Sequence, residues 1–282
     1  MSNDYCITEL CETLAVSRSG YYAWQGRPPG QRALKNALLR EKLQELFEQN
    51  RRVYGSPRLT VSLQREGLKC ARNRVARHMR SLGLRARQKK AFKPRTTESN
   101  HPHPIAPNRL KAAGRPKALD QVWVSDITYV ATRQGWVYLA GVMDLCSRKI
   151  VGWACADHLK TTLVQEALRR AVASRGPQPG LLHHSDRGCQ YASADYRAQL
   201  QTIQSRPSMS AAGNCYDNAA MESFWSTLKT EWLHPQTFRD QPAAELAIFD
   251  YIETFYNPKR LHSALGYQSP VEFELELSHA KH

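Results

Sequence analysis

After Asp120 the chain changes from basic, helical patterning to a series of strands, and this change most limits what it can fold into. "QVWVSDITYV" alternates as a strand, and "GWVYLAGVMDLCSRKIVGWACA" indicates two more strands that turn near Ser147 and Arg148. "TTLVQEALRRAVAS" is an amphipathic helix, "PGLLHHSD" a short strand, and "SADYRAQLQ" a helix that Ser193 caps. Three adjacent strands followed by alternating elements predict an α/β fold, a mixed sheet with flanking helices.

Two further elements are expected before the C-terminal region. A short strand is predicted around Thr202–Ser205. "CYDNAAMESFWSTLKTEW" then reads as a longer helix that begins at Asp217 or a neighbour.

The first 90 residues are patterned as helices. "ITELCETLAVSRSGYYAW" predicts two short helices separated by a tight turn at Ala15, with Ser17 capping the second. "YGSPRLTVSLQREG" predicts another helix, with Ser56 as its N-cap, Pro57 in its first turn and Gly67 as its stop. Short helices and tight turns in this order suit helix-turn-helix DNA-binding domains.

The helix predicted for "ARNRVARHMRSLG" is arginine-rich outside its apolar stripe. Val75, Met79 and Leu82 form the stripe, and Gly83 ends the helix. We interpret this helix as a recognition helix, and the alternative is a surface helix with a solvated basic side. The predicted DNA contacts are the four arginines off the stripe, Arg72, Arg74, Arg77 and Arg80.

The net charge of +15 is concentrated in one segment. Residues 51–119 carry 19 Lys and Arg against 2 Asp and Glu, whereas residues 1–50 carry 6 of each. Residues 120–282 carry 15 basic against 17 acidic residues. A localised excess of this size favours nucleic acid as the partner, because DNA phosphates attract clustered Lys and Arg.

These patterns divide the chain into four predicted parts. Residues 1–30 are a helix-turn-helix-like segment, 31–90 a basic helix-turn-helix domain, 91–116 a basic Pro-rich linker and 117–282 the α/β domain with a C-terminal helical block. The chain has no apolar run of about 20 residues, no signal pattern and no CxxC pair among its 7 cysteines. We therefore expect a cytoplasmic protein, nucleoid-associated when on DNA, without disulfides.

Three acids stand at positions that suit metal-dependent phosphoryl transfer. Asp126 is in the first strand, Asp186 ends the fourth, and Glu222 is on the late helix. Two Mg²⁺ ions can activate an attacking oxygen and neutralise a leaving one, and Mg²⁺ prefers carboxylate ligands. Each acid alone is ambiguous, since a strand Asp can be structural and a helical Glu is more often a solvated surface charge.

The late helix adds a basic residue beside Glu222. Lys229 follows Glu222 by two turns, about 20° round the same face, and Asn218 precedes it by one turn. We predict that Lys229 and Asn218 contact DNA. Glu231 falls near the opposite face and is a poor ligand candidate.

Several of these blocks resemble a known family. "WVSDITYV", "HHSDRGCQYAS" and "SMSAAGNCYDNAAMESFWSTLKTEW" are similar to the catalytic blocks of bacterial insertion-sequence DDE transposases of the second-reading-frame (OrfB) type, relatives of retroviral integrases. "YNPKRLHSALGYQSPVEFE" resembles the family's C-terminal block, and "YGSPRLTVSLQREG" its helix-turn-helix. The family usually has Ser where Cys189 stands, and basic residues near Ala211 and Ala212. The second departure puts one expected DNA contact in doubt.

The resemblance implies a fold, a site and partners. Residues 117–282 would form an RNase H-like integrase catalytic domain, with Asp126, Asp186 and Glu222 as catalytic metal ligands for Mg²⁺, or Mn²⁺ as a substitute. Family members bind terminal inverted repeats and target DNA, cleave strands at the element ends and join the freed 3′ ends elsewhere. The upstream-frame (OrfA) product, or fusion to it, is an implied partner, and a homo-oligomer on DNA is expected.

Other polar residues carry weaker predictions. Asp144 and His184 are candidates for supporting the metal site, although a turn-capping role is the more economical one for Asp144. Asn257, Arg260 and His262 are expected to fix a loop, with DNA contact as the alternative. The tryptophans at 123, 136, 153, 225 and 232 are assigned to the core or an interface. His101 and His103 lack cysteine partners, so no zinc module is expected.

Two other functions remain open on the sequence alone. A DNA-binding regulator with an inert second domain would have no use for three convergent acids. A hydrolytic nuclease on the same fold would cut DNA without joining it.

Overall fold

The computed structural model describes residues 6–87, 104–114, 116–210 and 218–280. The predictions for most of the linker, His101, His103, Ala211, Ala212 and Asp217 lie outside these ranges. The chain separates into two compact units, Met1–Arg85 and Ala86–His282. Among the described residues, no helix is long and apolar enough to cross a membrane.

The first unit is all helical, as predicted. Ala15 takes a left-handed φ of 52° between the first two helices, and the Ser17 side chain accepts a hydrogen bond from the Gly20 N–H. Ser56 does not cap its helix: it is the first helical residue, and Gly55 occupies the cap without a side-chain bond. The helices are α1 (Ile7–Thr13), α2 (Arg18–Gln25), α3 (Gln31–Gln49), α4 (Ser56–Arg65) and α5 (Arg72–Ser81).

A shared apolar core holds α3, α4 and α5 together. Val75 and Met79 are buried on α5 as the stripe predicts, and Gly67 and Gly83 end α4 and α5 in left-handed conformations. The buried residues of the other two helices are Leu39, Leu43, Leu46, Phe47, Leu59 and Leu63.

The second unit is built on a mixed five-stranded sheet in the order β3-β2-β1-β4-β5, so the predicted fold class is confirmed. β1 and β3 pair antiparallel with β2, whereas β4 pairs in parallel with β1 and β5. The strands are β1 (Val122–Thr132), β2 (Gly135–Asp144), β3 (Ile150–Ala156), β4 (Leu182–Ser185) and β5 (Arg206–Met209). The prediction of a strand at Thr202–Ser205 is wrong, because a helix runs to Thr202 and Gln204 turns with a φ of 50°.

Helices cover both faces of the sheet. On one face α7 (Thr161–Arg175) packs tightly on β3, since a Cβ at Gly152 would lie 2.4 Å from the Ala167 carbonyl oxygen. On the other face α10 (Ala219–Leu228) lies over Gly141 of β2. The short helices of this unit are α6 (Leu110–Ala113), which precedes β1, and α8 (Cys189–Ala192) and α9 (Ala194–Thr202), which lie between β4 and β5. Ser193 caps α9 as predicted.

The C-terminal block closes the face that carries α10. α10 continues into a π-helical turn, Lys229–Leu233, and α11 (Gln241–Tyr251) continues into another, Ile252–Tyr256. The chain ends with a 3₁₀ turn at Ser263–Leu265 and α12 (Pro270–His279).

Asn257 and Arg260 fix this block, in line with the loop-fixing prediction. The Asn257 amide accepts from the Ile150 N–H and donates to the Ile150 carbonyl, both at 3.0 Å, as a neighbouring strand would. Arg260 is buried against Glu231, with Nε to Oε2 at 2.7 Å. Their burial argues against the alternative of DNA contact. The His262 ring packs edge-on to Tyr256.

Candidate active site

Asp126 and Asp186 lie on neighbouring parallel strands. β1 and β4 pair with Val122 beside Leu182 and Val124 beside His184. Two residues further along each chain come Asp126, within β1, and Asp186, directly after β4. Because side chains alternate with period two, this register places both carboxylates side by side on one face of the sheet.

Trp225 holds the Asp126 carboxylate from the helix above. Its indole Nε1 donates to Asp126 Oδ2 at 3.0 Å. Gly141 stands directly opposite Asp126 on β2, and a Cβ there would lie 2.8 Å from the Trp225 ring. The missing side chain at 141 therefore makes room for the ring that orients Asp126. Sequence reasoning assigned Trp225 to packing and missed this contact.

The three predicted acids are linked electrostatically. The pKa of Asp126 is raised to about 8, mainly by burial and then by the charges of Asp186 and Glu222, while hydrogen bonds from the Ile127 N–H and Trp225 act in the opposite direction. The folded chain thus presses like charges together, which a bound cation would relieve. Carboxylate oxygens of this kind suit a hard divalent ion such as Mg²⁺.

Glu222 is more exposed than the two aspartates. It lies in the first turn of α10 with an exposed side chain. Within the described ranges, no three His, Cys, Asp or Glu side chains form a ready cluster for a metal ion. The structure therefore brings Asp126 and Asp186 together, and leaves Glu222 at the edge of the same site.

The two histidines before Asp186 are structural neighbours. His183 Nε2 lies 2.9 Å from Ser125 Oγ and 3.1 Å from the Tyr196 hydroxyl, and burial lowers the pKa of His183 to about 3. His183 is therefore neutral and bound to the β1 residue that precedes Asp126. His184 contacts the Ser208 and Ser210 hydroxyls through its two ring nitrogens, and so ties β5 to the strand that leads into Asp186.

Hydrogen bonds between side chains and backbone groups hold the loop after Asp186. The Gly188 N–H donates to Asp186 Oδ1 at 2.9 Å, and Arg187 Nε donates to the Ser210 carbonyl at 2.7 Å. Cys189 is a partly buried free thiol at the start of α8.

The two residues predicted to contact DNA at the ends of α10, Lys229 and Asn218, have different surroundings. Lys229 lies at the start of the π-helical turn, with Nζ 4.3 Å from the centre of the Tyr129 ring and close enough to Asp126 for its charge to act there. Asn218 is buried, and its amide donates to the Ser125 carbonyl at 3.2 Å. The DNA contact predicted for Asn218 does not fit this burial, and the residue instead docks the start of α10 on β1.

Asp144 does not support the metal site. Its carboxylate is buried and accepts from the N–H groups of Asp120 and Ser147 at 2.7 and 2.8 Å. It pairs with Trp123 in the sheet register, away from Asp126. Asp144 therefore caps the turn that follows β2, which is the turn-capping role.

In the first unit, α5 presents most of its arginines to solvent. Arg72, Arg77 and Arg80 are exposed. Arg74 is partly buried and donates to Asn36 Oδ1 on α3 at 2.7 Å, so it braces the helix against its neighbour.

Comparison with known proteins identifies the family to which the chain belongs. Residues 116–215 and 203–270 match two family models described as integrase core domain, and residues 33–92 match one described as HTH-like domain. The chain is 44% identical over 264 residues to the insertion element IS600 uncharacterized 31 kDa protein of Shigella sonnei, covering 94% of this chain and 97% of that one. It is 38% identical over 275 residues to transposase InsF for insertion sequence IS3A of Escherichia coli K12, covering 96% and 94%.

The chain belongs to the insertion-sequence transposase family. Among solved structures, it is similar to the HTLV-2 integrase catalytic core domain in complex with magnesium, at 14% identity and a TM-score of 0.44, over 57% of this chain and 99% of that one. The resemblance predicted from the sequence blocks is thus confirmed, and the chain is a transposase with an integrase-like core and an HTH-like domain.

The raised pKa of Asp126 predicts a pH-dependent stability for this transposase. A group whose pKa rises on folding, here from 3.8 to about 8, stabilises the fold in full below about pH 4 and loses that effect as the pH rises through 8. At pH 9 without metal, the free energy of unfolding of Asp126→Asn should therefore be about 2 kcal/mol higher than that of wild type. This value is discounted because solvent partly screens Asp126. Urea unfolding in EDTA at pH 5 and pH 9 checks this. A difference that does not grow with pH contradicts it.

Gly141→Ala is expected to displace Trp225 from Asp126. The new Cβ would lie 2.8 Å from the ring and 3.2 Å from the Met221 methyl, so the free energy of unfolding should fall by about 1–3 kcal/mol. Gly30→Ala is the matched control, since its Cβ would meet nothing within 4 Å. Equal thermal midpoints for the two variants would refute the close packing of the ring on β2.

Proposed function

We propose that this transposase carries out Mg²⁺-dependent DNA strand cleavage and strand transfer, with Asp126, Asp186 and Glu222 as its catalytic metal ligands. The observation that carries the proposal is the adjacent position of Asp126 and Asp186 on neighbouring parallel strands, with a pKa of Asp126 that burial and then the charges of Asp186 and Glu222 raise. When bound at such carboxylates, Mg²⁺ or Mn²⁺ supplies activation of the attacking oxygen and neutralisation of the leaving one.

The reaction has two displacements at phosphorus. Water attacks a phosphodiester at the element end, the bond to the 3′ oxygen breaks, and a 3′-OH and a 5′-phosphate result. That 3′-OH then attacks a second phosphodiester, whose own 3′ oxygen leaves. The chain's part is to hold the carboxylates in register, to fix Asp126 through Trp225, and to place the Lys229 ammonium where a substrate phosphate would lie.

The HTH-like domain is the proposed reader of the terminal inverted repeats. Arg72, Arg77 and Arg80 are exposed on α5, whereas Arg74 is engaged with Asn36. Arg77→Ala should weaken binding to the repeats and, if Arg77 contacts a phosphate, lower the salt dependence by about one unit of log–log slope. Anisotropy at several salt concentrations measures this, with Arg169→Ala, at an exposed arginine of α7, as the control. Equal binding by both variants would exclude Arg77 from the interface.

Two partners belong to the proposal. Both element ends must be held together, so we expect a homo-oligomer on DNA. The upstream-frame (OrfA) product, or fusion to it, is the second expected partner. Light scattering of the DNA complex, with and without that product, tests both: one chain per DNA end pair would contradict the oligomer.

A product assay on the element's own ends tests the reaction. With Mg²⁺, the wild-type chain and the upstream-frame product should yield strands in which an element 3′ end is joined to new DNA. Cleaved ends without joined product would favour a hydrolytic nuclease. No cleavage and unchanged DNA binding in wild type and Asp186→Ala alike would favour a regulator.

A further inference from the structure

An exposed tryptophan lies beside the proposed active site without a core role. Trp136 is 54% exposed, although the sequence assigned it to the core or an interface. It is the second residue of β2, after the β1–β2 turn, and its ring contacts Tyr129 of β1 edge-on, with centroids 4.9 Å apart. The ring is therefore open to contact from outside the chain.

Two contacts connect the Trp136 ring to the proposed active site. Tyr129 also carries the Lys229 ammonium over its face at 4.3 Å, and Lys229 feels the charge of Asp126. β1 runs from Asp126 to Ala131, the register partner of Trp136. These five strand positions span about 17 Å, a distance that a few nucleotides of a single strand can cover. Because the offset is odd, Trp136 and Tyr129 lie on the opposite side of the strand pair from Asp126. The Lys229 ammonium over the Tyr129 ring links the two sides.

The turn that precedes Trp136 is held by hydrogen bonds and carries one exposed arginine. Arg133 is exposed, and its N–H donates to the Phe238 carbonyl at 3.0 Å. Thr132 pairs with Phe238 as an isolated bridge, and its hydroxyl donates to the Gly135 carbonyl at 2.9 Å. Residues 120–282 carry a near-neutral charge, so the cations of Arg133 and Lys229 are not part of a general basic surface.

We propose that Trp136, backed by Tyr129 and flanked by Arg133, stacks on an unpaired base of the DNA end whose reacting phosphate lies at Asp126. This inference rests on the proposed function. Bases inside a duplex have both faces covered, so an exposed indole can stack only on a terminal or unstacked base. Arg133 would hold the phosphate next to that base, and the hydrogen-bonded turn would fix how far the end is unpaired.

Base-by-base fluorescence on the full chain tests the contact. We would place 2-aminopurine at each of the last positions of an element end and compare wild type with Trp136→Ala on bound, unreacted DNA. One position should be darker with wild type than with Trp136→Ala, because the indole quenches a stacked probe. Phe249→Ala, an exposed aromatic of α11, is the control and should match wild type.

Joining rates give the second measurement. Trp136→Ala, or an abasic site at the responsive position, should each slow joining about 5- to 150-fold, with no further loss when combined, and Trp136→Phe should recover much of the rate. Joining without any Trp136-dependent quench would overturn the stacking site alone. A Trp136-dependent quench without joining by wild type would overturn the proposed reaction and leave the stacking site standing.

Discussion

Replacement of Asp186 by asparagine should lower the rate of strand joining about 10³-fold, because the metal-bound oxygens supply several kcal/mol of transition-state stabilisation. Asp186 follows β4 at the level of Asp126 on the neighbouring β1, so its loss removes one of the two adjacent carboxylates. Binding to the terminal repeats should stay within about twofold of wild type, since the proposed recognition helix belongs to the other unit. Gel-based joining of labelled ends, with anisotropy on the same DNA, measures both quantities.

A matched acid separates this effect from a loss of surface charge. Asp195 is exposed in the first turn of α9, nine residues after Asp186, and Asp195→Asn should join DNA at the wild-type rate. Joining by Asp186→Asn at more than a tenth of the wild-type rate would contradict a catalytic role for this carboxylate.

Arg260→Met is expected to lower the free energy of unfolding by about 3–5 kcal/mol. Glu231 lies in the π-helical turn that begins at Lys229, and only 6% of it is exposed. Arg260 donates to both of its carboxylate oxygens, at 2.7 and 2.5 Å, and the Tyr251 hydroxyl donates at 2.6 Å. Loss of Arg260 would leave a buried carboxylate without its cation, and this accounts for the size of the effect.

The double variant Arg260→Met with Glu231→Met tests that reason. With both charges gone, most of the lost stability should return, because paired apolar side chains of similar volume replace a buried ion pair at little cost. Urea unfolding of wild type, the single variant and the double variant gives the comparison. A double variant no more stable than Arg260→Met would show that the stability is lost through packing rather than through the unpaired charge.

The fold was largely predictable because its signals are local. The turn at Ala15, the cap at Ser193 and the alternation of β1 depend on a few neighbouring residues, and the structure contains each of them. The last strand was misplaced because Arg206–Met209 is short and begins with Arg-Pro, so it carries no alternation of its own. Its position depends on pairing with β4, which a local pattern does not record.

The sequence predicts the three acids of the proposed site, but not the residues that hold them in place. Asp126 and Asp186 stand out by residue type at strand positions, and Glu222 by resemblance. Trp225 and Asn218 reach β1 across more than 90 residues of sequence, so their hydrogen bonds follow only from the docking of α10. One signal was available: Trp225 follows Glu222 by three positions, and residues at that spacing share a helix face.

The joining rate of Glu222→Gln most directly tests the claim that three carboxylates from separate elements form one metal site. Glu222 is the exposed member, one turn before the Trp225 that binds Asp126. The variant should bind the element ends as wild type does, bind Mg²⁺ more weakly by calorimetry, and lose joining about 10³-fold, as Asp186→Asn does. Joining within a few-fold of wild type would contradict the account and reduce the site to its two aspartates.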